Sequence, residues 1–206
     1  SDGADGRQRG HAGAGDRSDA EAGRAVFVAM ANVALYATNF TPPLVPDLLL
    51  SLDVTLPEDP LLKEHRSYFL WLYGKPPEVV VEIVSNRKGG ELSNKLLDYA
   101  RLGVSYYIVY DAEGEISEEP LRIFARQGAR FIETEERWLA EVELGVTIWR
   151  GVYNGMEGEW LRWVDADSVL LATGPEAKAQ ERRRVDALAA KLRELGIDPA
   201  EILSSS

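Results

Sequence analysis

The sequence predicts an α/β domain built on a mixed β-sheet, and three segments support this class. Residues 78–86, EVVVEIVSN, form a β-branched run typical of a strand that is buried on both faces. The segment GELSNKLLDYARLG then has helical periodicity and ends at Gly103, and VSYYIVYD (104–111) is a second strand. This order indicates a βαβ unit with adjacent parallel strands and a right-handed crossover.

The N-terminal 24 residues predict a disordered tail. They include six glycines and contain no Val, Leu, Ile, Met, Phe, Tyr or Trp, so they cannot bury enough apolar surface to offset the entropy cost of ordering. We expect a core domain over residues 25–173, followed by a C-terminal helix and tail over residues 174–206.

Several apolar segments of the core domain predict strands. AVFVAMANVALYA (25–37) is typical of a strand or a strand pair, and VPDLLLSLDV (45–54) is a further apolar segment entered through Pro46. LRIFARQGARFIE reads as a hairpin that turns at Gln127-Gly128. WLAEVE, VTIWRGVY and EWLRWVD predict antiparallel strands that extend or cover the sheet.

The C-terminal segment becomes helical from Pro175. Its apolar residues form a narrow stripe made of Val185, Leu188, Leu192 and Leu195, and Gly196 and Pro199 close the helix. This stripe can dock on the core or pair with a second copy, so a homodimer through the core or the C-terminal helix is one expectation.

Composition narrows the possible chemistry. The chain has no cysteine and only two histidines, which excludes thiolate sites and a histidine-built zinc site, so any metal is held by oxygen ligands. The net charge of −11 disfavours tight non-specific binding to nucleic acid. The longest apolar stretch is too short for a membrane span, and we expect a cytoplasmic protein without membrane contact.

Three residues form a candidate reactive constellation. Asp47 precedes the apolar run LLLSL, and Glu82 lies inside the β-branched strand on the face of Val80 and Val84. At 100° per residue, Lys95 shares one helical arc with Leu92, Leu96, Tyr99 and Leu102, and this arc should face the sheet. Lys95 and Glu82 can therefore meet.

Two acidic groups beside a lysine suit metal-assisted hydrolysis of a phosphodiester. Asp47 and Glu82 can bind Mg²⁺ or Mn²⁺ together with the backbone carbonyl of Ile83, while Lys95 stabilises the nucleophile or the developing negative charge. A structural ion pair between Glu82 and Lys95, with Asp47 as a turn residue after proline, remains the alternative from the residues alone.

The segments PDLLLSLDV and SYFLWLYGKPPEVVVEIVSNRKGGELSNKLLDYARLGVSYYIVYD resemble the Uma-two-type restriction endonuclease family, a branch of the PD-(D/E)XK nuclease superfamily. The resemblance covers about residues 25 to 173. It places the family's Pro-Asp on Pro46-Asp47, its strand glutamate on Glu82 and its helix lysine on Lys95. It implies a restriction-endonuclease-like fold with helices flanking a mixed central sheet, a magnesium site and DNA as the substrate.

The chain departs from this pattern in two places. In the wider superfamily the lysine lies two residues after the glutamate, a position that Val84 occupies here. Relatives also carry an N-terminal helix and strands where this sequence has its glycine-rich segment. Two functions are therefore expected as alternatives: a metal-dependent endonuclease, or a catalytically silent interaction module with the same fold.

Overall fold

The computed structural model describes residues 13–14, 27–54, 67–84, 94–195 and 197–198. Its strands, in chain order, are β1 (Gly13–Ala14), β2 (Phe27–Ala31), β3 (Leu35–Tyr36), β4 (Leu48–Leu52), β5 (Tyr68–Phe69), β6 (Val79–Ile83), β7 (Tyr106–Tyr110), β8 (Leu121–Gln127), β9 (Arg130–Thr134), β10 (Trp138–Leu139), β11 (Leu144–Tyr153) and β12 (Met156–Val164). Its helices are α1 (Leu70–Tyr73), α2 (Asn94–Leu102) and α3 (Gly174–Glu194).

The main sheet has seven strands in the order β1-β2-β4-β6-β7-β8-β9. β6 and β7 are parallel and are joined through α2, whereas the other neighbouring strands of this sheet are antiparallel. The predicted α/β class, the mixed sheet and the βαβ unit are thus confirmed. The hairpin predicted at Gln127-Gly128 is also present, with Gln127 paired to Arg130.

The two faces of the main sheet belong to two apolar cores. On the first face, alternate strand residues such as Val80, Val84 and Tyr107 pack with Tyr99 and Ala100 of α2. On the second face, the intervening residues pack against β10 to β12. Because α2 covers the first face, any side chain pointing there from β6 lies beneath that helix.

The strands β10, β11 and β12 form a separate antiparallel sheet that covers the second face. The long hairpin β11–β12 turns at Asn154 and Gly155, which both have positive φ, as a two-residue type I′ turn requires. Tyr110 of β7 donates a hydrogen bond from its hydroxyl to the carbonyl of Glu159 at 2.8 Å and links the two sheets. Of the two expected arrangements for these strands, covering the sheet is the one observed.

The segment predicted as a strand or strand pair over 25–37 contains two strands, β2 and β3. Asn32 separates them with φ at 53°, and its N–H donates to the carbonyl of Asp47 at 3.0 Å. β3 then pairs in parallel with β5, rather than with β2. The chain therefore leaves the main sheet at Asn32 and returns to it at Asp47.

The predicted C-terminal helix is α3. Thr173 is its N-cap, the Glu176 side chain accepts a hydrogen bond from the Thr173 N–H at 2.7 Å, and Pro175 occupies its first turn. The guanidinium of Arg162 also binds Glu176, with an N–O distance of 2.7 Å. None of the helices in the described part of the chain is long and apolar enough to cross a bilayer.

The described residues include only a small part of the N-terminal tail. Gly13–Ala14 pair with Val28 and Ala29 of β2 as a two-residue strand. The disorder predicted for the rest of residues 1–24 lies outside the described residues and stays a prediction.

Candidate active site

Glu82 is a buried carboxylate near the C-terminal end of β6, the central strand of the main sheet. It follows three valines in β6, pairs with Val109 of β7, and is only 2% exposed. Alternation along the strand directs its side chain to the face of Val80 and Val84, as predicted. An ionised carboxylate at such a position requires partners that donate hydrogen bonds.

Helix α2 supplies two side chains that donate hydrogen bonds to Glu82. Lys95 Nζ donates to Glu82 Oε2 at 2.9 Å, and the Tyr99 hydroxyl donates to Glu82 Oε1 at 2.8 Å. Lys95 and Tyr99 are four residues apart and therefore lie on one face of the helix. The predicted arc is observed for its described members, because Leu96 and Leu102 pack on the first core and Tyr99 is fully buried, whereas Leu92 lies outside the described residues.

Asp47 lies at the start of β4, next to Glu82. The antiparallel register pairs Leu48 with Val81, so one further step along both strands places Asp47 opposite Glu82 on the same face. The Asp47 Oδ2 atom accepts a hydrogen bond from the backbone N–H of Ile83 at 2.6 Å. The structure thus brings Asp47, Glu82 and Lys95 together at one end of the sheet.

The electrostatics of the site follow from this crowding. Burial raises the pKa of the Glu82 carboxyl above its ordinary value; Lys95 and Tyr99 oppose this shift, and the charge of Asp47 adds to it. Burial and the neighbouring Glu82 carboxylate hold the pKa of the Tyr99 hydroxyl well above its usual range. Tyr99 therefore stays protonated at neutral pH and remains a hydrogen-bond donor to Glu82.

The backbone of Ile83 faces Asp47. In a strand, the N–H and C=O of one residue point to the same side, and the N–H of Ile83 is bonded to Asp47. The carbonyl of Ile83 is therefore directed to the side on which the Asp47 carboxylate lies. Val84, at the position where the wider superfamily has lysine, is 5% exposed and belongs to the first core.

The donor set of this site suits a hard divalent cation. It consists of two carboxylates and a backbone carbonyl, and Mg²⁺ typically takes one or two carboxylates and keeps several waters. Each carboxylate offers about four lone-pair sites, so the bonds from Ile83, Lys95 and Tyr99 leave acceptor capacity on Asp47 and Glu82. No group of three or more acidic, histidine or cysteine ligands occurs within the described ranges, so this site has fewer carboxylates than a metal cage built from side chains alone.

Helical spacing predicts Tyr99 on the inner arc of α2, but the sequence did not identify its hydroxyl as a hydrogen-bond donor to Glu82. Its signal was the spacing of four residues from Lys95, which puts both donors over the same strand position. In the sequence, Arg87 and Lys88 are candidate contacts to a DNA backbone, and both lie outside the described residues.

The main sheet is mixed and carries a crossover helix on one face. Two carboxylates and a lysine lie at one end of this sheet. This arrangement defines a restriction-endonuclease-like protein. Residues 22–149 match the Uma2 family, described as "Putative restriction endonuclease". This match spans more than half of the 206 residues, and the chain belongs to that family. No curated protein and no solved structure matches the chain.

Proposed function

We propose that this protein is a metal-dependent endonuclease that hydrolyses phosphodiester bonds of DNA in the cytoplasm. Family membership supports nuclease chemistry. The observation that carries the proposal is the position of Lys95 Nζ, 2.9 Å from a buried glutamate that has a second carboxylate beside it at the end of the sheet.

Asp47, Glu82 and the carbonyl of Ile83 would hold Mg²⁺ or Mn²⁺. When bound, the ion supplies a water of lowered pKa and positive charge against the phosphate. Asp47 and Glu82 orient the site, because each is held by a hydrogen bond to the neighbouring backbone or helix. Lys95 carries a positive charge to the same place and stabilises the attacking hydroxide or the negative charge that develops on the phosphate.

The burial of Glu82 favours metal binding by the carboxylates of Asp47 and Glu82. Burial works against the ionised carboxylate, as the raised pKa of Glu82 indicates. A cation held by Asp47 and Glu82 would offset that penalty, since it would favour the ionised form of both carboxylates. The two carboxylates thus attract a cation to the site, although the net charge of the protein repels DNA at long range.

The test is nicking of supercoiled plasmid in magnesium and in manganese, with EDTA as the metal-free reference. Asp47→Asn, Glu82→Gln and Lys95→Gln should each lower the nicking rate at least about a hundredfold. The matched control is Glu133→Gln, which neutralises a carboxylate paired with Arg122 on the far strands of the sheet. If Glu82→Gln nicks like the unchanged protein while circular dichroism stays the same, the assignment of Glu82 is wrong.

The second candidate is a catalytically silent interaction module. One observation favours it: both oxygens of Glu82 and one oxygen of Asp47 already accept hydrogen bonds from the protein itself. A network satisfied in this way can be purely structural. Calorimetric titration with Mn²⁺ separates the two functions, because a nuclease should bind the ion through Asp47 and Glu82 and a silent module should show no such heat.

A further inference from the structure

The apolar stripe of α3 is exposed to solvent. Val185, Leu188 and Leu195 are 52%, 57% and 68% exposed, and Leu192 is partly exposed. No residue of this 21-residue helix is buried. A helix with an apolar stripe normally buries that stripe against another element, and most helical stability in proteins comes from such packing.

The helix is fastened to the core at its start. Glu176 accepts hydrogen bonds from Arg162 and from the Thr173 N–H, and the Arg162 guanidinium also donates to the Leu171 carbonyl. These contacts hold the first turn in place. They leave the stripe, which begins three turns later, available to another molecule.

The charges that flank the stripe are positive. The spacing of three, four and three residues places Val185 and Leu192 at heptad position a, and Leu188 and Leu195 at position d. The flanking e and g positions then hold Arg182, Arg184, Ala189 and Lys191, with no acidic residue among them. In a two-helix interface these positions choose the partner through interhelical ion pairs.

A second copy of α3 does not complement these flanks. In an antiparallel pair, g positions face each other, so Arg184 would lie against Lys191 of the other copy. In a parallel pair, Arg184 would face Ala189 of the other copy. The a and d positions continue toward the N-terminus at Lys178 and Glu181, and each of these residues would lie opposite the same residue of the other copy, with the same charge. Neither orientation forms an attractive pair.

We propose that the stripe of α3 binds an amphipathic helix of another protein, with leucine-like residues at its a and d positions and Asp or Glu at its e and g positions. Acidic flanks pair with Arg182, Arg184 and Lys191 in either orientation, while the apolar residues bury the stripe. This proposal is independent of the nuclease chemistry, because it involves no residue of the candidate active site.

Two synthetic peptides about four heptads long test the proposal, both with leucine at a and d, one with Glu and the other with Lys at all e and g positions. Their binding to the full chain is measured by fluorescence anisotropy at low and high salt. The acidic peptide should bind at least about tenfold more tightly than the basic one, and more weakly as salt screens the flanks.

Three variants make the result specific. Leu188→Gln keeps a good helix former but removes an apolar contact, and should weaken binding of the acidic peptide. Val152→Gln changes a residue of β11 that is 62% exposed, and should leave binding unchanged. Arg184→Glu combined with Lys191→Glu should transfer the preference to the basic peptide, a gain that misfolding cannot produce.

Equal binding of both peptides, or of neither, would overturn the proposal. So would a concentration-dependent dimer in sedimentation that Leu188→Gln makes monomeric, because the occupant of the stripe would then be a second copy.

Discussion

At the scale of single residues, Glu82 is the unusual feature of this protein. A strand of β-branched residues gains stability by burying apolar surface, and a carboxylate in it works against that gain. Lys95 and Tyr99 offset part of the cost, yet the pKa of Glu82 remains raised because burial dominates. A group that the fold disfavours in its ionised form is more easily explained by function than by stability.

Tyr99→Phe removes one hydroxyl and leaves the ring in the core. We expect a loss of about tenfold to a hundredfold in Mn²⁺ affinity and in nicking rate, because Glu82 Oε1 loses the donor that orients it. Calorimetry measures the affinity and plasmid nicking measures the rate. Tyr107→Phe is the control, since Tyr107 is fully buried on the same face with its ring 5.2 Å from that of Tyr99, whereas the donors to Glu82 are Lys95 and Tyr99. Equal effects of the two variants would show that Tyr99 has only a packing role.

Glu82→Gln is expected to abolish nicking without lowering stability. A raised native pKa means that the folded protein favours the uncharged form, so the contribution of Glu82 to stability is present at low pH and is lost as pH rises through the native pKa. A neutral glutamine imitates the protonated form at every pH. Lys95 keeps part of its side chain in water and is not stranded by the change. Urea unfolding at pH 7 should show an unfolding free energy no lower than that of the unchanged protein.

The position of Lys95 in the site follows from local sequence patterns, whereas the position of Asp47 and the contacts of Asp111 do not. The arc containing Lys95 was predictable because helical spacing and the βαβ order place it over its own strand. The register that puts Asp47 opposite Glu82 was not, because pairing between strands that are distant in sequence depends on the whole sheet. The role of Asp111, a buried carboxylate that accepts hydrogen bonds from three later backbone N–H groups, was not predicted for a related reason: an aspartate after a strand does not reveal which backbone groups will turn toward it.

At the scale of elements, Asp111 holds the turn that leads from β7 to β8. It is 1% exposed, and its two oxygens accept hydrogen bonds from the N–H groups of Glu115, Ile116 and Ser117 at 2.8 to 3.0 Å. Burial raises the pKa of the Asp111 carboxyl, but these hydrogen bonds lower it more, and the net shift is downward. The carboxylate is therefore part of the fold of this turn.

Asp111→Asn should lower the unfolding free energy by about 1–3 kcal/mol, because an amide N–H₂ replaces one of two oxygens that both accept backbone hydrogen bonds. A lowered native pKa means that the contribution of Asp111 is fully present above the unfolded-state value of about 3.9 and is lost as pH falls through the native pKa. Urea unfolding from pH 7 downward should therefore show a constant difference between the two proteins above about pH 5 that shrinks below about pH 4. A difference that grows in acid would contradict this role.

Local patterns predicted the elements better than their partners. The βαβ unit and the hairpin at Gln127-Gly128 depend on neighbouring residues, and both are present. The parallel pairing of β3 with β5 joins residues more than thirty positions apart and involves only two residues in each strand. Nothing in such short segments distinguishes a strand from a loop, because their pairing is decided by the core that Leu35 and Tyr68 enter.

At the scale of the whole molecule, a core that contains the site is joined to a helix that contributes little to that core. The core buries apolar residues on both faces of its main sheet, whereas α3 has no buried residue. Stability and the proposed nuclease chemistry should therefore belong to the core, and α3 should serve association. This division can be tested by shortening the chain at two points.

A chain that ends after Lys178 should melt within about 2 °C of the full chain and keep its magnesium-dependent nicking rate, because no residue of α3 is buried. It retains Glu176, which binds the guanidinium of Arg162. The matched control ends after Thr173 and removes Glu176. Arg162 is 7% exposed, and its remaining partners within the described ranges would be the Leu171 carbonyl and the face of Trp149, so this shorter chain should melt at a clearly lower temperature. Differential scanning calorimetry of the three proteins measures the difference, and equal destabilisation by both truncations would mean that the exposed part of α3 stabilises the core after all.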